Sequence, residues 1–299
     1  INDTDSHGTA IAGLCLFGDL ANLIENNKRT KIDHTVESVK MINNKQPHDP
    51  LLYGVVTADC IANVEIEQPS FNRLICCTIT SDSINTGRPS SWSSAIDKLC
   101  YNKENKRLIL FSAGNVTDWS NYPESNFKEG VQDPAQSWNA VTIGAYTEKG
   151  NLNTTAYPEW HPIAPQGGLS PSSSTSIPWQ KEWPYKPEVV FEGGNAAYHK
   201  KQEKKEAIVS DDLQLLTTNY QPIVKLFKSI GDTSASVALA SQFCAKLISK
   251  YSNLWPETIR GLLIHSAEWN KQMLNDKKLN EISKEEIKKV LRIYGYGTP

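Results

Sequence analysis

The sequence predicts an α/β protein, a mostly parallel sheet with helices on both faces. Three observations carry this. Short apolar runs recur along the chain at Tyr53–Thr57, Leu74–Thr80, Leu108–Phe111 and Ala140–Ala145, and their length and β-branched content suit buried strands. Apolar residues at helical spacing lie between and beside them. The 299 residues are 39% hydrophobic, enough to bury a sizeable core.

The first helix is expected after His7, where Ile11, Leu14, Leu20, Leu23 and Ile24 recur at helical spacing. A short helix fits Ser94–Tyr101. Val237, Ala240, Phe243, Leu247 and Tyr251 form an apolar stripe over Ser234–Tyr251. Pro256 opens a further helix with Ile259, Leu262 and Leu263 inward, proline being favourable in a first turn. Trp119–Gln136 and Glu148–Trp183 are rich in Ser, Pro, Asn, Gly and Trp and read as surface loops. The mixed-charge segments Ala197–Glu206 and Asn275–Lys289 read as solvated insertions.

Composition excludes several classes. Lys+Arg is 31 and Asp+Glu 33, a net charge of -2, so no overall positive field recruits nucleic acid. No apolar stretch approaches the roughly 18–20 residues that span a bilayer. The cysteines, Cys15, Cys60, Cys76, Cys77, Cys100 and Cys244, make neither a C-x-x-C pair nor a zinc spacing with histidine and read as buried free thiols. Adjacent Cys76 and Cys77 should point to opposite faces of a sheet. No metal or cofactor is expected.

Three segments bear reactive groups. His7-Gly-Thr-Ala-Ile-Ala-Gly-Leu14 puts an imidazole at a helix start, a suitable general base. Gly8 and Gly13 would let another backbone approach. Leu108–Asn115 is an apolar strand ending in small residues and an asparagine. The carboxyl ends of strands form the crevice of an open α/β sheet, and a side-chain amide there can donate to an oxyanion. Gly231–Ala238 puts Ser234 at a helix N-terminus, where the dipole favours negative charge. Each segment alone has a plainer reading: a structural histidine, a turn, and an N-cap formed by Asp232, Thr233 or Ser234.

Together, in this order, the three segments resemble the motifs of the subtilisin-like serine peptidases, the subtilase family. His7-Gly-Thr-x-x-Ala-Gly resembles the histidine motif, Ser112-Ala-Gly-Asn115 the oxyanion motif, and Thr233-Ser234-Ala-Ser the nucleophile motif. Asn139–Ala145, Lys186-Pro-Glu-Val-Val190 and Trp255–Leu263 are lesser echoes, so the likeness runs from about His7 to Ala267. It implies a three-layer subtilisin-like fold and peptide-bond hydrolysis by an Asp-His-Ser triad. His7, Ser234 and the oxyanion donor Asn115 would be catalytic. Ser112, Ala113 and Gly114 would flank the first specificity pocket, and substrate would lie extended beside Cys77–Ser81. The expected partner is a polypeptide, with neither nucleic acid nor membrane.

Some positions depart from the family pattern. Asp232 stands where the glycine before Thr-Ser is usual, and Ala238 where proline is usual. The family's aspartate lies on a strand well before the histidine, yet only six residues precede His7. Asp3 and Asp5 belong to the loop entering the helix, and Asp33, Asp59 or Asp82 would have to reach the site from elsewhere. Residues 1–299 are therefore read as one catalytic domain cut at both ends, with the aspartate upstream and further domains possible in the full chain. The rival readings are an inactive pseudopeptidase that binds protein and an esterase, whose G-x-S-x-G signature the sequence lacks. A looser likeness to large intracellular bacterial subtilases points to the cytoplasm, with secretion as the alternative.

Overall fold

The computed structural model describes all residues except 1, 2, 4, 28, 43–47, 82–85, 102–106 and 202–205. Its helices are α1 (His7–Phe17), α2 (Leu20–Glu25), α3 (Tyr53–Glu67), α4 (Ser91–Cys100), α5 (Glu124–Lys128), α6 (Asp232–Lys250), α7 (Pro256–His265) and α8 (Lys284–Tyr294). Its strands are β1 (Leu74–Cys77), β2 (Leu108–Ser112), β3 (Val141–Thr147), β4 (Trp160–Pro162), β5 (Gly168–Leu169), β6 (Val189–Glu192), β7 (Ala197–His199), β8 (Ala207–Ile208), β9 (Leu215–Thr218) and β10 (Phe227–Ile230).

The main sheet runs β1-β2-β3, and β6 adds to β3; all three of these pairings are parallel. Antiparallel β5 pairs with the end of β3. Strand alternation divides the core. Ile109 and Phe111 pack with Ile61, Trp92 and Ile96 beneath α3 and α4. Leu108, Leu110, Val141 and Ile143 pack with Val237, Ala240, Ile259 and Leu263 of α6 and α7. The result is the expected helix–sheet–helix layering. Cys76 lies on the α6 side and Cys77 on the α3–α4 side, as alternation requires. All six thiols are free.

One expected strand is a helix. Tyr53–Thr57 is the first part of α3, with Thr57 and Ile61 buried one turn apart. The five apolar residues cannot distinguish the two periods; the continuation to Ile61 decides, because Tyr53 and Ile61 both reach the cluster around Trp92. The stretches read as loops also carry structure, namely α5, β4 and β5. Asn275–Lys289 is no simple insertion. Its second half begins α8, where Ser283 and Glu286 form a capping box, and Ile293 is buried. The segment after α8 is also integrated: Tyr296 N–H donates to Glu188 O at 2.8 Å and Val190 N–H to Gly297 O at 2.9 Å. The centre of the charged run in Ala197–Glu206 lies outside the described residues.

Candidate active site

Ser234 is the third residue of α6, and its side chain is not consumed by capping. The N-cap is Gly231, without a side-chain cap bond. Asp232 accepts from Ser172 Oγ at 2.5 Å, and Thr233 turns to Asn115. Ser234 is only 7% exposed, and among the described residues its hydroxyl has no hydrogen-bond partner. This removes the plainer reading of the segment.

Asn115 follows β2 at the carboxyl end of the sheet. Its Oδ1 accepts from Thr233 N–H at 3.1 Å and from Thr233 Oγ1 at 2.7 Å. The oxygen is thereby fixed, and Nδ2 is left as a donor beside the first turn of α6. Thr233 is a contributor that motif reading alone does not single out. Its place between Asn115 and Ser234 depends on the fold.

His7 begins α1, and three elements hold that helix in place. Thr217 Oγ1 and Thr218 Oγ1 of β9 donate to Ala10 O at 2.7 Å and Thr9 O at 3.0 Å. Gln242 of α6 donates to Leu16 O at 3.1 Å. Lys228 of β10 donates to Ser6 Oγ at 2.8 Å. Asp3 accepts from the backbone N–H of Asp5, Ser6 and Thr9 and from Thr9 Oγ1. Burial works against its ionisation, but these bonds, Thr9's above all, hold its carboxyl below the usual range. Asp3 is thus committed to the entry of α1, as expected.

Gly13 permits the packing of α1 on β9. A Cβ there would lie 2.3 Å from Thr218 Oγ1, 2.4 Å from Thr217 Oγ1 and 3.0 Å from Thr218 N. Gly8 is different: the nearest atom to such a Cβ is Asp3 Oδ2 at 3.8 Å, so no close approach requires it. Gly13→Ala should cost about 1–3 kcal/mol by overpacking. An unchanged thermal midpoint would refute this.

Burial lowers the pKa of His7, and Lys228 lowers it further, while Asp5, Asp3 and Asp232 raise it. The imidazole therefore stays neutral to lower pH than an ordinary histidine. Among the described residues no carboxylate is hydrogen-bonded to it. Asp33 pairs with Lys31 at 2.7 Å, Asp59 lies on α3, and Asp82 lies outside the described residues.

The segments expected to line substrate are joined. Gln132 N–H donates to Ala113 O at 2.9 Å, and Thr80 Oγ1 donates to Gln132 Oε1 at 2.6 Å. The Gln132 side chain lies against Gly114, whose φ is +98° and whose added Cβ would sit 2.4 Å from Oε1. Ser112–Gly114 and Thr80 thus share one wall. Ser112, Ala113 and Gly114 are all buried. The described residues contain no cluster of three or more His, Cys, Asp or Glu able to hold a metal ion. No helix among them is long and apolar enough to cross a membrane.

The fold is similar to those of solved proteases. Sphericase matches with a TM-score of 0.56 at 17% identity, over 89% of this chain and 70% of that one. A lanthipeptide protease matches at 0.55 and 17%, over 99% and 73%. The S41 psychrophilic protease matches at 0.56 and 17%, over 90% and 72%. No curated protein matches in sequence. The peptidase S8, or subtilase, family model matches residues 1–297. The ordered histidine, asparagine and serine segments, the fold they share with solved proteases and this match across nearly the whole chain make it a member of the subtilase family of serine peptidases.

Proposed function

We propose that the chain carries the acylating groups of a serine endopeptidase. Ser234 Oγ attacks the peptide carbonyl while His7 takes its proton, which His7 then delivers to the leaving amine. The acyl-enzyme is hydrolysed by water through the same groups. Asn115 Nδ2 and the Ser234 backbone N–H hold the oxyanion, aided by the positive end of α6. The observation that carries this reading is the fixing of Asn115 Oδ1 by Thr233, which presents the amide N–H to the turn bearing an uncommitted serine.

The carboxylate that orients His7 is proposed to come from chain upstream of Ile1. Support comes from the committed or remote positions of Asp3, Asp33 and Asp59. The test is fluorophosphonate labelling with peptide mapping, on the 299-residue chain and on a form extended upstream by about 60 residues. Labelling at Ser234 in the extended form, absent in Ser234→Ala, is expected. No label on either folded form would favour the pseudopeptidase.

A pH profile adds an independent check. The base must be neutral, and burial depresses its pKa. Burial and Lys228 depress it and the upstream carboxylate, once present, raises it, so His7 is identified by how the acid limb of kcat/KM moves when one of these neighbours is removed. Lys228→Met removes a positive neighbour and should move that limb to higher pH. A limb unmoved in Lys228→Met would contradict the assignment of His7 as base.

A further inference from the structure

Asp232 is one of the positions where this chain departs from the family motif. It occupies the first position of α6 with φ +66°, a left-handed conformation that glycine adopts freely and other residues at some cost. Its carboxylate does not cap the helix; it accepts from Ser172 Oγ. It also lies within electrostatic reach of His7. Among the described residues no Lys or Arg is ion-paired with it. A carboxylate with no cationic partner, two residues before the proposed nucleophile, opposes a forming oxyanion unless positive charge arrives with the substrate.

The backbone places Asp232's partner Ser172 relative to Asn115. Residues 114–116 and 172–174 run antiparallel: Ser174 N–H donates to Gly114 O at 3.2 Å, Asn115 bridges to Ser173, and Val116 N–H donates to Ser172 O at 2.8 Å. Moving from Gly114 to Val116 therefore passes from the Gln132 wall, past the candidate oxyanion donor Asn115, to its far side. Ser172 and the Asp232 carboxylate bonded to it stand there.

We propose that Asp232 makes the site prefer substrates with Lys or Arg on the leaving-group side of the scissile bond. The proposal rests on the serine-peptidase reading above for the identity of the ligand, but its test does not require turnover. Ser234→Ala isolates binding. Two capped hexapeptides, identical except for Lys or norleucine as the fourth residue, are titrated against it by calorimetry.

The Lys peptide is expected to bind about fivefold more tightly, a modest ion-pair effect. The advantage should shrink as salt is raised from about 0.02 M to about 0.5 M. It should vanish in Ser234→Ala carrying Asp232→Asn, and in Ser234→Ala carrying Asp232→Gly, the residue usual in the family. Using both variants guards against loss of folding in one, and both accept the left-handed backbone. Equal affinities for Lys and norleucine, a difference that survives both Asp232 changes, or binding of neither peptide would overturn the proposal. Failure of the peptidase reading would show separately, as absence of fluorophosphonate label at Ser234 with the Lys preference still measurable.

Discussion

Asn115→Ala is expected to lower kcat by about 10²–10³, the loss produced by removing one oxyanion donor from a subtilisin, a relative of this chain. The donor acts on charge that exists only in the transition state, so KM should change little. The side chain also anchors Thr233 through its Oδ1, and the truncation leaves that N–H and hydroxyl without their acceptor. Asn115→Asp separates the two roles. It keeps an oxygen for Thr233 but removes the amide donor, so it should lose at least as much turnover. The check is kcat and KM on the extended enzyme, with thermal midpoints for both variants. A loss below tenfold in either would remove Asn115 from the catalytic machinery.

The second large effect concerns stability. Lys186 is 1% exposed and donates to Glu188 Oε1 at 2.5 Å and to Ala140 O at 3.0 Å. Glu188 also accepts from Thr142 N–H at 2.7 Å and from Arg260 at 3.3 Å. This pair ties the start of β6 to β3 beside the core. Glu188→Ala leaves a buried ammonium without its counter-charge and should cost about 3–5 kcal/mol. Burial already lowers the Lys186 pKa, against the attraction of Glu188, and removing Glu188 lowers it further.

The pH dependence follows from that direction. Where the folded pKa is depressed, the unfolded chain binds more protons, so stability rises with pH between the folded and unfolded values. The penalty in Glu188→Ala should therefore shrink as pH is raised from 7 toward about 10, the ordinary lysine range. Denaturant unfolding at two pH values checks both points. A loss under about 1 kcal/mol would show that the pair is dispensable, and a loss independent of pH would show that its cost is not the stranded Lys186 charge. Replacing both partners by apolar residues of similar volume should be far milder, because no charge is then stranded.

Much of this molecule can be read from its residues. The runs at Leu74, Leu108 and Val141 became adjacent parallel strands because a short apolar run between helical segments has few other stable uses. The helix at Asp232–Lys250 followed from a stripe long enough to show its period. Tyr53–Thr57 failed for the opposite reason: five apolar residues suit either element, and only packing against Trp92 selects the helix. Ser-, Pro- and Gly-rich composition likewise concealed β5 and the 172–174 segment, which are held by hydrogen bonds from distant strands rather than by any local periodicity.

The candidate site divides along the same line. The expectations for His7, Asn115 and Ser234 could be drawn because each proposed role restricts residue type and near neighbours, and those constraints are local. The choice between capping and chemistry for Ser234 is not local. It depends on Ser172 occupying Asp232 and on Asn115 occupying Thr233 across 60 and 118 residues of chain. Sequence alone thus determined the layered fold and the candidate groups. Only the tertiary structure decided which of them are left unbonded and which charges face one another, because contacts between distant segments follow from topology and leave no periodic trace along the chain.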